Sequence, residues 1–349
     1  MEIGAGSADR SLKPRNQIHQ PLQVFSVILT GNASSSRLFI NCSCMNELIS
    51  ILIITYNRPD DLLELLQSMN SETDLSSLKE ILVLNNASTV SYEKPIAFIE
   101  ANPQLKVNYI LSGENLGVSR GRNKLMAMAK GELLLVLDDD ILFHTPNSLP
   151  VIASVFQKEF FQNANAGVIT FRVIYYETKE QQQTALPHKQ FEEYRYKDVF
   201  LTSYFTGCSH LLKKEVLAKT GFYPEDFFYG MEEYDLSYRI INAGYSLGYD
   251  SAVTFEHKES PKGRQLNHEK LASQWVNKTK VARRYLPFKY YLTTMMAWSM
   301  EYVKKAGGHW GTYFSAWRKA LKAGLGEKRN PVGKKALEYL KSVRARLWY

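Results

Sequence analysis

Four short apolar runs alternate with stripes of helical period between Glu47 and Leu137, and few folds accept that pattern. Ile49–Thr55 is an almost unbroken apolar run of strand length, as expected of a strand buried on both faces. Pro59 follows, suited to the first turn of a helix, and Leu62, Leu63, Leu65, Leu66 and Met69 then make an apolar stripe. Further strands are predicted at Glu80–Leu84, Lys106–Leu111 and Glu132–Leu137, with a helix over Gly117–Ala129 closed by Gly131. Strand–helix–strand alternation implies an α/β fold, a doubly wound sheet flanked by helices, with sites at the carboxyl ends of strands. The second half predicts strands at Gly167–Tyr175, Phe205–Leu212 and Tyr245–His257 and helices over Lys213–Thr220 and Glu232–Ala243. Between them Thr178–Asp198 is polar and reads as a mobile loop over a site.

Composition narrows the class. With 45% hydrophobic and 22% charged residues the chain is globular, not disordered or fibrous. Its longest apolar runs have strand length, short of the ~18–20 residues that span a bilayer. Three cysteines, Cys42, Cys44 and Cys208, make neither a disulfide framework nor a structural zinc site, which suits a reducing compartment. The net charge of +8 is unevenly placed: Tyr285–Tyr349 holds 13 basic and 3 acidic residues, and the rest is slightly acidic. Three regions are expected: a leader over 1–46, polar and without a signal-peptide layout, read as disordered or a start-site artefact; a catalytic domain over 47–284; and a basic amphipathic helical tail over 285–349.

Asp138, Asp139 and Asp140 follow directly on the apolar strand. Three adjacent carboxylates repel one another unless a cation or solvent relieves them. Hard divalent cations such as Mg²⁺ and Mn²⁺ take oxygen ligands, so this turn is a candidate site for a metal and a phosphate; the alternative is a solvated acidic turn. Glu232 and Glu233 open a helix, where the dipole alone would favour acids. The aromatic approach through Phe222, Tyr223, Phe227, Phe228 and Tyr229 instead suits a general base with raised proton affinity. Thr55, Asn57 and Arg58 at the first strand-to-helix turn can bond a base or ribose, or cap the helix. Arg120 and Arg122 at the start of the Gly117 helix can fork onto an anion or face solvent. His257 ends a strand, where a structural role competes with a ligand role.

Taken in order, Ser50–Pro59, Glu80–Ser88, Asn115–Asn123, Gly131–Asp140 and Thr206–Gly244 resemble the family 2 glycosyltransferases, and the match spans about Glu47–Lys258. The resemblance implies a GT-A fold and an inverting transfer from a nucleotide-sugar, of UDP or dTDP type, to a hydroxyl of a glycan or lipid-linked glycan. It implies that Asp138–Asp140 is the DxD-type motif, with Asp138, Asp140 and His257 toward Mn²⁺ or Mg²⁺. Thr55, Asn57, Arg58, Asn85, Asn86, Arg122, Asp138 and Asp139 fall toward the nucleotide. Glu233 stands where the family places its base, with Glu232 in reserve. Two departures are visible: Asn85-Asn86 stands where the family commonly starts with Asp, and Glu233 replaces the usual Asp, lengthening its reach by roughly one carbon–carbon bond.

The tail carries two stripes, one through Tyr313, Phe314, Trp317, Ala320 and Leu321, the other through Ala336, Leu337, Leu340, Val343 and Leu347, each beside basic residues. Such helices suit an anionic membrane surface or pack on the domain. The expected location is cytoplasmic, peripheral on the inner face of the plasma membrane, with no nucleic-acid partner. Competing classes fit less well. A nucleotidyltransferase needs a glycine-rich phosphate loop where Tyr56-Asn57-Arg58-Pro59 stands, a dinucleotide oxidoreductase needs a Gly-x-Gly-x-x-Gly, and a non-catalytic relative has no need of both acidic clusters.

Overall fold

The parallel half of the sheet lies where the apolar runs place it, in a computed structural model that describes residues 47–259 and 268–348. The 1–46 leader lies outside the described residues. β1 (Ile49–Thr55) pairs in parallel with β2 (Leu78–Asn85) and with β4 (Leu133–Asp138), and β3 (Val107–Leu111) adds beyond β2. Helices α1 (Pro59–Asn70), α2 (Glu93–Ala101) and α3 (Gly117–Met128) make the crossovers. Leu62, Leu65, Leu66 and Met69 of α1 are buried on one face of the sheet, and Leu125 and Met126 of α3 on the other. Strands buried from both sides read as continuous apolar runs, which is why β1, β2 and β4 are visible in the sequence; β3, at the sheet edge, is half-buried.

The second half is mixed. β5 (Ile141–Phe143) and the short helices α4 (Ser148–Ser154) and α5 (Glu159–Asn163) lead to β6 (Ala166–Tyr175). Then come α6 (Phe191–Tyr194), β7 (Val199–Thr202), β8 (Ser209–Lys213), α7 (Lys214–Thr220), α8 (Glu232–Asn242) and β9 (Ser246–His257). The sheet order is β3-β2-β1-β4-β8-β6-β9-β5, with β7 also on β9. β8 runs against β4 and β6, while β6 and β9 are parallel. β8 begins at Ser209, four residues later than the apolar pattern suggests; the Cys208 carbonyl still accepts from the Asp138 N–H, but the Gly207 carbonyl is taken by Arg122 in the cleft.

The C-terminal helices are α9 (His268–Tyr285), α10 (Phe288–Ala306), α11 (Trp310–Gly326) and α12 (Lys334–Ser342). α9 docks on α8 through charge: Arg284 pairs with the buried Asp235 at 2.9 Å, and the Tyr285 hydroxyl donates to the same carboxylate. α12 lays Ala336 and Leu340 inward, the chain after it buries Val343 and Leu347, and the Tyr339 hydroxyl donates to the Thr202 carbonyl at 2.9 Å. One of the two tail stripes therefore packs on the domain. Among the described residues no helix is long and apolar enough to cross a membrane.

Candidate active site

The strand order reverses between β1 and β4, and a crevice opens at their carboxyl ends, as expected at such a point. The resulting cleft has a volume of about 850 Å³, and its wall includes Arg58, Asn86, Arg122, the three aspartates, Glu232, Glu233 and His257. Thr55, Asn57 and Asn85 are not on that wall. The Thr55 hydroxyl shares a hydrogen bond with the Tyr92 hydroxyl at 2.7 Å, Asn57 accepts from the Thr89 N–H, and Asn85 donates to the Tyr109 hydroxyl and accepts from the Ser88 N–H. Asn86 lines the cleft, but its amide braces the turn before α3 by accepting from the Leu116 N–H and donating to Asn115.

β5 decides the geometry of the acidic turn. Its pairing with β9 sets Ile141 opposite His257, so the imidazole is brought against Asp140, with Nε2 3.1 Å from Oδ1. Asp138, Asp140 and His257 each offer a ligand atom, and these atoms lie within 4.8 Å of one another. Two carboxylates from the end of β4 and the turn after it, with one imidazole from β9, form a donor set suited to a divalent cation. The far nitrogen of the ring is held too: Nδ1 lies 2.8 Å from the Gln182 Oε1, and the Gln182 amide donates to Glu259. An Nδ1–H donated to Gln182 would leave Nε2 free to ligate, the outer-shell arrangement typical of metal-bound histidine. Gln182 comes from the polar segment read as a mobile loop. That segment is instead anchored, with Gln181, Gln182, Ala185, Leu186 and His188 buried and Leu186 packed with Phe200 and Tyr249.

Arg58 closes the same turn, its guanidinium 2.5 Å from Asp140 and 3.3 Å from Asp139. Burial works to raise the Asp140 pKa, but the His257 hydrogen bond and the Arg58 charge prevail and hold it below the usual carboxylate range. Burial dominates at Asp139, whose pKa is pushed up to about 7 against the pull of Arg58. His257 moves the other way from burial, its pKa raised by the hydrogen bond and charge of Asp140.

The second acidic pair sits at the N-terminus of α8. Gly230 and Met231 both take positive φ (83° and 71°), turning the chain sharply so that Glu232 and Glu233 enter the first turn pointing into the cleft. Arg122, almost wholly buried, lies between the two clusters. It donates to Asp138 and Glu233 at 2.9 Å each and to the Gly207 carbonyl at 2.9 Å, and approaches Glu232 at 3.6 Å. Its guanidinium also stacks over Tyr223, whose hydroxyl meets the buried His210 at 2.8 Å. A Cβ at position 207 would collide with the Glu233 carboxylate, so a side chain there would have to push that carboxylate aside. Glu232 is buried, its Oε2 has no hydrogen-bond partner among the described residues, and burial followed by the neighbouring Glu233 raises its pKa to about 8.

The sequence supplies no signal for Gln182, which belongs to no motif; Tyr223 is visible there only as part of the aromatic approach to Glu232 and Glu233. Arg122 was visible as an anion contact; the anions around it are the protein's own carboxylates.

Comparison with known proteins matches residues 50–221 to the model of Glycosyl transferase family 2. An uncharacterized protein of Haemophilus influenzae is 29% identical over 179 residues, covering 51% of this chain and 94% of the relative. The uncharacterized glycosyltransferase YwdF of Bacillus subtilis is 31% identical over 123 residues, 35% of this chain and 43% of its own length. Among solved structures, the mannosyltransferase PcManGT of Pyrobaculum calidifontis, in complex with GDP-Man and Mn²⁺, superposes with a TM-score of 0.51 at 16% identity, over 86% of this chain and 80% of that one. TarS of S. aureus with UDP-GlcNAc gives 0.55 at 13% identity, over 86% and 89%. At such identities the structural likeness speaks for the GT-A fold alone.

Proposed function

The chain belongs to glycosyl transferase family 2, and from that premise we propose that it moves a sugar from a UDP- or dTDP-type nucleotide-sugar to a hydroxyl of a glycan or lipid-linked glycan, with inversion. The observation that carries this reading is that a convergent Asp138–Asp140–His257 group and the Glu232–Glu233 pair face one cleft, joined by Arg122.

Asp138, Asp140 and His257 would hold Mn²⁺ or Mg²⁺, which when bound would offset charge on the leaving diphosphate. Arg58 and Asn86 are the wall residues proposed to meet the nucleotide. Glu233 is proposed as the base. It reaches the cleft beside Gly207, and Arg122 fixes its carboxylate relative to Asp138. The acceptor hydroxyl would give its proton to Glu233 as its oxygen bonds the anomeric carbon, while the carbon–oxygen bond to the diphosphate breaks and takes the electron pair with it. One such displacement inverts the centre. Glu232, buried and of high proton affinity, would stay protonated behind it. The proposed location is cytoplasmic.

Thermal unfolding with a panel of nucleoside diphosphates, each with and without Mn²⁺, tests the reading. A ligand at about 100 times its dissociation constant adds ~2.7 kcal/mol of stability. A metal-dependent shift with one nucleotide is expected and names the base of the donor. No shift with any nucleotide at saturating metal would leave a non-catalytic relative of the fold as the better account.

A further inference from the structure

α10 and α11 run antiparallel across α9. The Tyr291 hydroxyl lies 3.4 Å from the Ala320 carbonyl, and the Ser299 hydroxyl 2.8 Å from that of Tyr313, so rising along α10 means descending along α11. Trp275 of α9 packs against Tyr302 from α10 and Tyr313 and Trp317 from α11. Helical residues step about 100°. On that wheel Phe288, Leu292, Met296, Met300 and Val303 lie roughly a quarter-turn from the side of α10 that meets α11, and all are exposed, Met300 at 66%. On α11 the same rotation, reversed in sense by the antiparallel packing, carries Trp310, Phe314, Leu321 and Leu325, with Leu325 91% exposed. The two stripes therefore share one side of the helix pair, opposite α9.

A continuous outward face of large apolar side chains is uncommon on a soluble surface and marks a contact surface. Its rim is basic: Lys289 and Lys304 on α10, and Arg318, Lys319 and Lys322 on α11, are all exposed. An apolar strip with tryptophan and a lysine and arginine rim, in a segment of 13 basic against 3 acidic residues, complements an anionic bilayer surface and opposes another basic surface.

We propose that the α10–α11 pair is a monotopic membrane-docking face, inserting its apolar stripes at the headgroup boundary of an anionic bilayer. The flank of α11 turned away from α10 supports this. There Gly311, Ser315 and Lys319 border a groove of about 620 Å³. The groove shares Phe228, Tyr229, Glu269 and Ser273 with the wall of the catalytic cleft. A face seated on lipid would set that groove between the bilayer and the cleft, the route a lipid-linked acceptor would take. Docking itself does not depend on the transferase reading, because lipid binding needs no donor.

The test is flotation of the full chain with vesicles of phosphatidylcholine alone or mixed with phosphatidylglycerol, at low and high salt. Flotation is expected with the anionic vesicles, weakened by salt, with a blue shift of tryptophan emission. Met300→Gln with Phe314→Gln, both exposed and so neutral to folding, should reduce the partition coefficient about 100-fold. Lys319→Gln with Lys322→Gln should reduce it about 30-fold at low salt. Leu111→Gln, an equally exposed apolar residue at the far sheet edge, should change nothing. Absence of flotation would overturn the proposal, as would flotation indifferent to the α10–α11 substitutions. A dimer in sedimentation that the Met300 and Phe314 changes dissolve would assign the face to a second copy instead.

Discussion

Asp138–Asp140 and Glu232–Glu233 are both acidic clusters at the ends of regular elements, yet the fold treats them in opposite ways. The aspartates end a parallel strand in a tight turn, and cationic groups are brought to them from three other elements: Arg58 after β1, Arg122 from α3 and His257 from β9. Two of the three aspartates converge with the histidine on a common point. The glutamates open a helix whose dipole already favours them, and one arginine serves both. Both line the cleft, Glu232 buried with an unpartnered oxygen and Glu233 the more exposed. Convergent carboxylates suit a cation. A pair that shares one guanidinium, one member kept protonated and the other more accessible, suits proton transfer. The same functional group is thus sorted by the partners the fold brings to it, not by residue type.

The largest effect expected from this contrast is Glu233→Gln, which should lower transfer by about 10²–10⁴-fold while metal-dependent nucleotide binding persists. Asp140→Asn should do the reverse first, removing the metal-dependent part of the thermal shift. Equal loss of binding in both variants would erase the distinction between the clusters. Next comes Arg122→Met. Removing one partner of a buried ion pair costs about 3–5 kcal/mol, and here three carboxylates lose their shared cation. Urea unfolding should show that loss, and a cost within the error of the measurement would mean that Arg122 does not hold the clusters together. A smaller effect is expected from Gln182→Leu. It leaves all three ligand atoms in place but frees the imidazole, and outer-shell losses of this kind cost about 10–100-fold in metal affinity. Titration of Mn²⁺ followed by its paramagnetic resonance signal reads it without any turnover. Unchanged affinity would make the Gln182 contact a packing feature.

Much of this contrast could be read before any coordinates. β1, β2 and β4 are visible because strands buried on both faces leave unbroken apolar runs, and the acidic turn is visible because it follows one of them. β5 is not visible. Three residues carry no period, yet its pairing with β9 is what sets His257 against Asp140. Gln182 was hidden for a related reason, since a polar residue in an irregular segment looks solvated until its long-range partner is known. The tail shows the limit from the other side. The sequence marks both stripes as amphipathic, but period alone cannot tell an inward stripe from an outward one. Leu340 of α12 is fully buried. In α11 the predicted stripe is split, Ala320 facing in and Phe314 out. The outward row on α10 is not legible in the sequence, because tyrosines at neighbouring positions blur its edge.

The last prediction concerns Glu232 alone. Its pKa rises from an ordinary 4.5 to about 8 in the folded chain, burial being the larger cause and Glu233 the next. Below the lower value the folded and unfolded chains both carry the proton, and the stabilising effect of the buried neutral carboxyl is fully present. Between the two values the folded chain holds a proton that the unfolded chain has released, so stability falls as pH rises through that window. Glu232→Gln keeps the shape and removes the proton, and should flatten this part of the stability profile, with its gain over the parent greatest near the upper end. Denaturant midpoints across the window measure it. A slope unchanged by the substitution would mean that Glu232 is ionised when folded, and the pair would then resemble the aspartate turn more closely than its geometry indicates.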